Sequence, residues 1–139
     1  MNATPQHEKD ALGLWGEDIA THYLKKKGYK IAGRRVKSKY GELDIVAVSN
    51  HGVQPELVFV EVKTRRSHDF GGGVAALDQR KRQALCRSAR LFLRSMRPPL
   101  PPYRFDLIEV IGASDNPSPE ITHFERCFSM EKRILSDWF

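Results

Sequence analysis

Two runs decide the fold: Gly41-Glu42-Leu43-Asp44-Ile45-Val46-Ala47-Val48 and Leu57-Val58-Phe59-Val60-Glu61-Val62-Lys63-Thr64. Both are rich in β-branched residues, and the turn-forming segment Ser49 to Glu56 separates them, which predicts an antiparallel hairpin. Side chains alternate across a strand, so Glu61 and Lys63 share a face with Leu57 and Phe59, while Glu42 and Asp44 share one with Val46 and Val48. If Val48 opposes Leu57 across the turn, Val46 meets Phe59, Asp44 meets Glu61, and Glu42 meets Lys63. Three carboxylates and a lysine then converge. Like charges facing each other in a sheet destabilise it unless a cation lies between them, so Asp44 against Glu61 is a poor structural choice and a good metal site. Oxygen-only ligands favour Mg²⁺ or Mn²⁺ over zinc. A simpler reading stands beside this one: Glu42 and Lys63 form a cross-strand ion pair and Asp44 caps a turn.

Upstream of the hairpin, Leu12, Trp15, Ile19, Tyr23 and Leu24 recur at three- and four-residue steps, which predicts an amphipathic helix from Lys9 to Lys27, stopped by Gly28. Tyr29 to Val36 reads as a short strand broken by Gly33, followed by the basic connection Lys37-Ser38-Lys39-Tyr40. Downstream, Gly71-Gly72-Gly73 leads into a second helix from about Asp78 to Met96, with a buried stripe of Leu77, Ala84, Leu85, Ser88, Ala89, Phe92 and Met96. The glycines lack a following Gly-Lys-Ser/Thr, so they form a flexible substrate-side loop and not a phosphate-binding P-loop. Arg97-Pro98-Pro99-Leu100-Pro101-Pro102 ends the second helix. Two further strands follow, Tyr103 to Ile111 and Ile121 to Phe128, around the turn-rich stretch Gly112 to Pro119. Glu131 to Phe139 is either a short helix or a tail whose Trp138 and Phe139 pack onto a partner. The order is α-β-β-β-α-β-β in one domain, residues 1–139, with a core of about 10–128 and a tail from 129 to 139.

With 40% hydrophobic and 29% charged residues, the 139-residue chain fits neither a disordered tail nor a membrane protein. Its polar N-terminus lacks the apolar run of a secretory signal, which points to the cytoplasm. Cys86 and Cys127 stand at neither metal-ligand nor redox spacing, so both are read as reduced, buried thiols. His7, His22, His51, His68 and His123 are scattered without ligand spacing, which assigns them surface or structural roles. Asp106, in Arg104-Phe105-Asp106, is read as pairing with an arginine to hold the fold. Lysine and arginine number 23 against 17 acids, a net charge of +6 that suits a polyanionic partner.

An acid on one strand, an acid-x-lysine on the next and a helix on either side, in a basic protein, resemble the PD-(D/E)xK nuclease superfamily. The ordered motifs Gly16-Glu17-Asp18-Ile19-Ala20, Gly28-Tyr29, Gly41-Glu42-Leu43-Asp44, Phe59-Val60-Glu61-Val62-Lys63-Thr64-Arg65, Phe70-Gly71 and Arg104-Phe105-Asp106 are similar to those of the YraN-like bacterial family. That family is similar in fold to archaeal Holliday-junction resolvases. The resemblance covers roughly Leu12 to Phe128. It implies an α/β, restriction-endonuclease-like fold: an αβββαβ core, a central mixed sheet flanked by helices, and an extra C-terminal strand. It implies further that Asp44 and Glu61 ligate Mg²⁺ or Mn²⁺ with the backbone carbonyl of Val62, and that Lys63 orients or polarises the attacking water. Glu42 then either binds a second metal through water or holds Lys63. Glu17 matches the superfamily's helical acid; a solvated flank or a partner for a lysine is an equal reading. The implied activity is metal-dependent hydrolysis of DNA, more than of RNA, on branched or damaged structures, by a homodimer if the analogy with resolvases extends so far. The alternative is a noncatalytic nucleic-acid-binding module that keeps the fold.

Two surfaces compete for the nucleic acid. Arg80, Arg87, Arg90, Arg94 and Arg97 form a basic ridge along the second helix; Lys37, Lys39 and Arg65 surround the hairpin. Lys81 is counted with the nucleic-acid-binding residues, although it falls on the apolar line of the second helix. It either reaches toward the active site or snorkels outward, and snorkelling is the reading preferred here.

Overall fold

The helical spacing of Leu12, Trp15, Ile19, Tyr23 and Leu24 produces α1 (Pro5–Lys26) in the computed structural model, which describes residues 5–68, 72–73, 77–115 and 118–130. Gly28, at φ 91°, ends the helix. Its N–H bonds to the Lys25 carbonyl at 3.0 Å and the Tyr29 N–H bonds to that of Leu24 at 3.0 Å, which closes the last turn as a Schellman motif. The chain then runs through β1 (Lys30–Ser38), β2 (Gly41–Ser49), β3 (Glu56–Arg65), α2 (Gln79–Arg94), β4 (Tyr103–Ile111) and β5 (Glu120–Phe128). Each predicted element within the described residues is present, with ends moved by a few residues. Gly71 and the segment Glu131 to Phe139 lie outside the described residues. Among the described residues no helix is long and apolar enough to cross a membrane.

The five strands form one sheet in the order β1-β2-β3-β4-β5. Only β3 and β4 are parallel, and that pairing needs a long crossover, which α2 supplies. The architecture is therefore α/β with a mixed sheet, an αβββαβ order and an added C-terminal strand. Strand alternation divides the core between two faces. Ile45, Ala47, Val58, Val60, Ile108 and Val110 pack with Ala20 and Leu24 of α1. Val46, Leu57, Phe59, Phe105 and Leu107 pack with Leu85, Ala89 and Leu93 of α2 on the other side. A Cβ at Gly16 would collide with the Thr64 side chain, so α1 lies directly on β3 at that crossing. The close seat carries Glu17, the next residue, toward the end of β3 where Glu61 and Lys63 stand.

The predicted hairpin register holds at Val48 with Leu57 and at Val46 with Phe59, and the ladder between β2 and β3 runs as far as Ile45 with Val60. Strict alternation does not extend past it. Leu43 packs with Val46 on the α2 side, while Ile45, two residues on, packs on the α1 side. The cause lies on β1, where Arg35 adopts φ 52° between the pairs Arg34 with Ile45 and Val36 with Leu43. A left-handed residue turns its strand over, and β2 turns with it. Glu42 and Asp44 therefore leave the face of Val46 and Val48 that alternation assigns them.

Neither cysteine is in a disulfide. Cys86 is buried; Cys127 is half-buried and donates to the Phe105 carbonyl at 3.3 Å, and burial pushes its thiol up to about 11.

Candidate active site

β3 emerges from the core at Glu61, whose side chain is 5% exposed. Its Oε1 lies 3.2 Å from Lys81 Nζ and 3.6 Å from Lys63 Nζ. Its Oε2 is buried and has no hydrogen-bond partner among the described residues. A buried carboxylate oxygen without a donor costs folding free energy, so its retention needs a reason.

Asp44 stands beside Glu61, beyond the last β2–β3 ladder pair. Its Oδ2 accepts the Val62 N–H at 2.8 Å, so the side chain itself ties the two strands together where the ladder has stopped. Burial, the neighbouring Glu61 charge and a shared hydrogen bond with Glu61 push the Asp44 carboxyl up to about 8, with Glu17 adding to the effect and the Val62 amide opposing it. Without a cation, the crowding of the two carboxyls disfavours the ionised form of Asp44.

Glu17 comes from α1 and is buried. Arg35 donates to both of its oxygens, at 3.2 and 3.4 Å, and Arg34 lies 3.9 Å away. Carboxylate oxygens of Glu17, Glu42 and Asp44 lie within 4.8 Å of one another, a spacing that lets three acids hold one cation. Glu17 is not the solvated flank of one reading: it is buried and paired, with arginines in place of the expected lysine. The pairing of Glu42 with Lys63 is replaced: Glu42 joins Glu17 and Asp44, and Lys63 turns to Glu61.

Lys81 corrects the snorkelling reading. Asp78 caps α2, its Oδ1 accepting the Lys81 N–H at 2.8 Å, which sets the direction of the first turn. One turn before the buried Leu85, the lysine stem runs over the core, and the buried charge of Glu61 draws the ammonium inward.

Glu109 was not singled out from the sequence. It is buried on β4 in register with Lys63, and its Oε2 accepts the Gly73 N–H at 2.8 Å. A Cβ at Gly72 would come within 2.5 Å of the same oxygen, so the glycine loop is seated on this carboxylate. The available signal was a lone acid inside Leu107-Ile108-Glu109-Val110-Ile111.

The arginine ridge is only partly realised. Arg80, Arg94 and Arg97 are exposed, whereas Arg87 and Arg90 are half-buried, and Arg90 Nε is buried without a hydrogen-bond partner among the described residues. Arg87 and Arg90 follow directly on the buried Cys86 and Ala89 and so lie at the flank of the packed face. Near the hairpin, Lys37 and Lys39 are exposed and Arg65 is half-buried.

A second acidic cluster occupies the other end of β4. Asp106 is 1% exposed; its oxygens lie 2.7 Å from His123 Nε2, 3.0 Å from the Arg126 N–H and 3.1 Å from Arg104 Nε. Burial alone would raise its pKa, yet these hydrogen bonds hold it below the usual carboxylate range. Arg104 continues to Glu56 at 2.8 Å and to the Tyr29 hydroxyl at 2.7 Å. Asp106, His123 and Glu125 also lie within ligand distance of one another, but protein donors already fill the site. The structural role read for Asp106 holds. Structural partners also account for His51, at 2.8 Å from the Lys27 carbonyl, and His68, at 2.6 Å from Glu120.

Comparison with known proteins matches residues 16–110 to the family described as "Uncharacterised protein family UPF0102". The UPF0102 protein of Syntrophomonas wolfei is 45% identical over 100 residues, 72% of this chain and 84% of the relative. That of Syntrophotalea carbinolica is 38% identical over 125 residues, 90% and 97% of the two chains. That of Nocardia farcinica is 36% identical over 121 residues, covering 87% and 91%. The matched span holds every acid and lysine of the site, from Glu17 to Glu109, and the chain belongs to the UPF0102, or YraN, family.

Proposed function

We propose that this protein is a metal-dependent nuclease that hydrolyses phosphodiester bonds in DNA, with Mg²⁺ or Mn²⁺ as its ion. The observation that carries the reading is the pairing of an orphaned buried oxygen, Glu61 Oε2, with a neighbouring Asp44 whose carboxyl is pushed up to about 8. The fold gains nothing from two crowded acids, and an oxygen-seeking divalent cation satisfies both. The donor set fits: Asp44 and Glu61, with the Val62 carbonyl that the resemblance implies, and Glu17 and Glu42 within reach of Asp44. When bound, the ion lowers the pKa of a water molecule and offsets charge growing on the scissile phosphate. Lys63, 3.6 Å from Glu61 and partly open to solvent, orients that water and stabilises the same phosphate charge. Asp44 must give up its proton for this work, so activity rises with pH toward the value set by the acid pair. DNA as substrate, its branched or damaged forms and a dimeric enzyme are supported by the resemblance to junction resolvases.

Purified protein incubated with labelled linear, flapped and four-way DNA, and with RNA, in Mg²⁺, Mn²⁺ or EDTA tests the reading. The expected result is cleavage of DNA in either metal, none in EDTA, and none by Asp44→Asn or Lys63→Ala. Binding without cleavage on every substrate would overturn it in favour of the noncatalytic nucleic-acid-binding module.

A further inference from the structure

Two ammonium groups end on a single carboxylate oxygen. Lys63 arrives from β3 and Lys81 from the first turn of α2, both onto Glu61 Oε1. The carboxylate is 5% exposed, whereas the lysine side chains are 33% and 41% exposed. Each ammonium carries three N–H donors; Lys81, at 3.2 Å, spends at most one on Glu61 Oε1, and Lys63, at 3.6 Å, is held there by charge alone. Both lysine side chains stay partly open to solvent, so donors are left for a further anion. Nothing in the packing of α2 requires a charge at position 81, since Leu85, Ala89 and Leu93 already bury the helix against the sheet. Its place is nonetheless secured, because Asp78 binds the Lys81 backbone N–H and Arg82 Nε donates to the Leu77 carbonyl at 2.8 Å.

We propose that Lys81 binds the phosphate backbone of the substrate as the partner of Lys63, the two ammonium groups closing over Glu61 from separate elements of the fold. This rests on the nuclease reading and adds a residue from α2 to it. A phosphodiester suits the pair: its two non-bridging oxygens can each take a donor, and it carries the single negative charge that two lysines sharing one carboxylate leave unmet. Lys37, at the end of β1, and Lys39, in the turn into β2, are exposed as well. In the absence of nucleic acid Glu61 alone faces the two lysines; a bound phosphate adds the second negative charge while Glu61 keeps its place.

The test is the affinity for a short fluorescently labelled DNA duplex in EDTA, where nothing is cut, measured across a salt series. Lys81→Ala should weaken binding about tenfold at low salt and make the slope of log affinity against log salt shallower by about 0.9, the loss of one phosphate contact. Lys81→Arg keeps the charge and should keep the slope. Glu61→Gln frees both lysines and should tighten binding, and the double variant with Lys81→Ala should lose that gain. A lysine that serves only as a counter-ion to Glu61 would change the melting temperature and leave the salt slope as in the wild type. An unchanged slope in a folded Lys81→Ala protein would overturn the proposal. If the wild type cleaves DNA while Lys81→Ala keeps the wild-type slope, the lysine assignment fails alone. If binding depends on Lys81 but no substrate is ever cut, the nuclease reading fails alone. A wild type that binds no duplex refutes the lysine assignment outright.

Discussion

Asp44 on β2 and Asp106 on β4 flank β3 in one sheet, the first half-buried and the second fully buried, and their surroundings treat them in opposite ways. Asp106 receives Arg104, His123 and the Arg126 amide, and its pKa falls. Asp44 receives one backbone N–H and a second acid, and its pKa rises to about 8. Even the backbone devices correspond. Arg126, like Arg35, adopts φ 52°; Arg126 turns its N–H onto Asp106, and Arg35 sends its guanidinium to Glu17. The contrast separates the two functions a buried acid can serve. A carboxylate saturated with donors holds strands together, whereas one left short of donors is held ready for a ligand at some cost in stability.

The largest effect that would sharpen this contrast is at the saturated cluster. Arg104→Ala leaves Asp106 and Glu56 without their main cation and should cost about 3–5 kcal/mol in urea denaturation. A cost under about 1 kcal/mol would remove the distinction. At the unsaturated cluster the sign reverses. Asn matches protonated Asp in shape, accepts the Val62 N–H and donates to Glu61, but cannot ionise. Asp44→Asn should therefore raise stability by more than about 1 kcal/mol at pH 8, several degrees in Tm, and leave it unchanged at pH 4.

The pH dependence of the wild type carries both signs. The folded pKa of Asp44 lies above its unfolded value of 3.8, so its contribution is complete below pH 3.8 and is lost as pH rises toward 8. The folded pKa of Asp106 lies below 3.8, so its contribution is complete above that value and is lost as pH falls through the folded pKa. Melting curves across pH should show both limbs, and Asp44→Asn should remove only the alkaline one. The smallest effect belongs to Lys63→Ala: a partly exposed ion pair is worth less than about 1 kcal/mol, so the variant should melt close to the wild type while losing cleavage. A large drop in Tm would make Lys63 a structural residue.

Much of this was legible along the chain. The hairpin register follows from Leu57, Phe59, Val46 and Val48, because alternating apolar residues permit one alignment across a short turn. The acid-x-lysine at Glu61 and Lys63 and the arginine partner of Asp106 were equally plain. The reversal at Leu43 was not, because the positive φ of Arg35, a non-glycine residue, leaves no mark in local composition. Glu17, Lys81 and Glu109 meet the hairpin acids from other elements, so no spacing rule connects them. Lys81 was misread for a specific reason: helical periodicity registers a charge on an apolar stripe but not the buried carboxylate waiting opposite it.

The absence of clearance at Gly16 has a consequence for how the acid cluster can be lost. α1 rests on Thr64 with no room for even a methyl group, and the adjacent Glu17 shares its seat with the acids of β2. The site consequently has a second point of failure that contains no charge at all. A side chain at Gly16 would lift one wall of the acid cluster while most of both cores remained packed, producing a folded, heat-sensitive protein whose acids no longer meet. Genetic screens for loss of function should therefore recover a glycine as readily as a carboxylate.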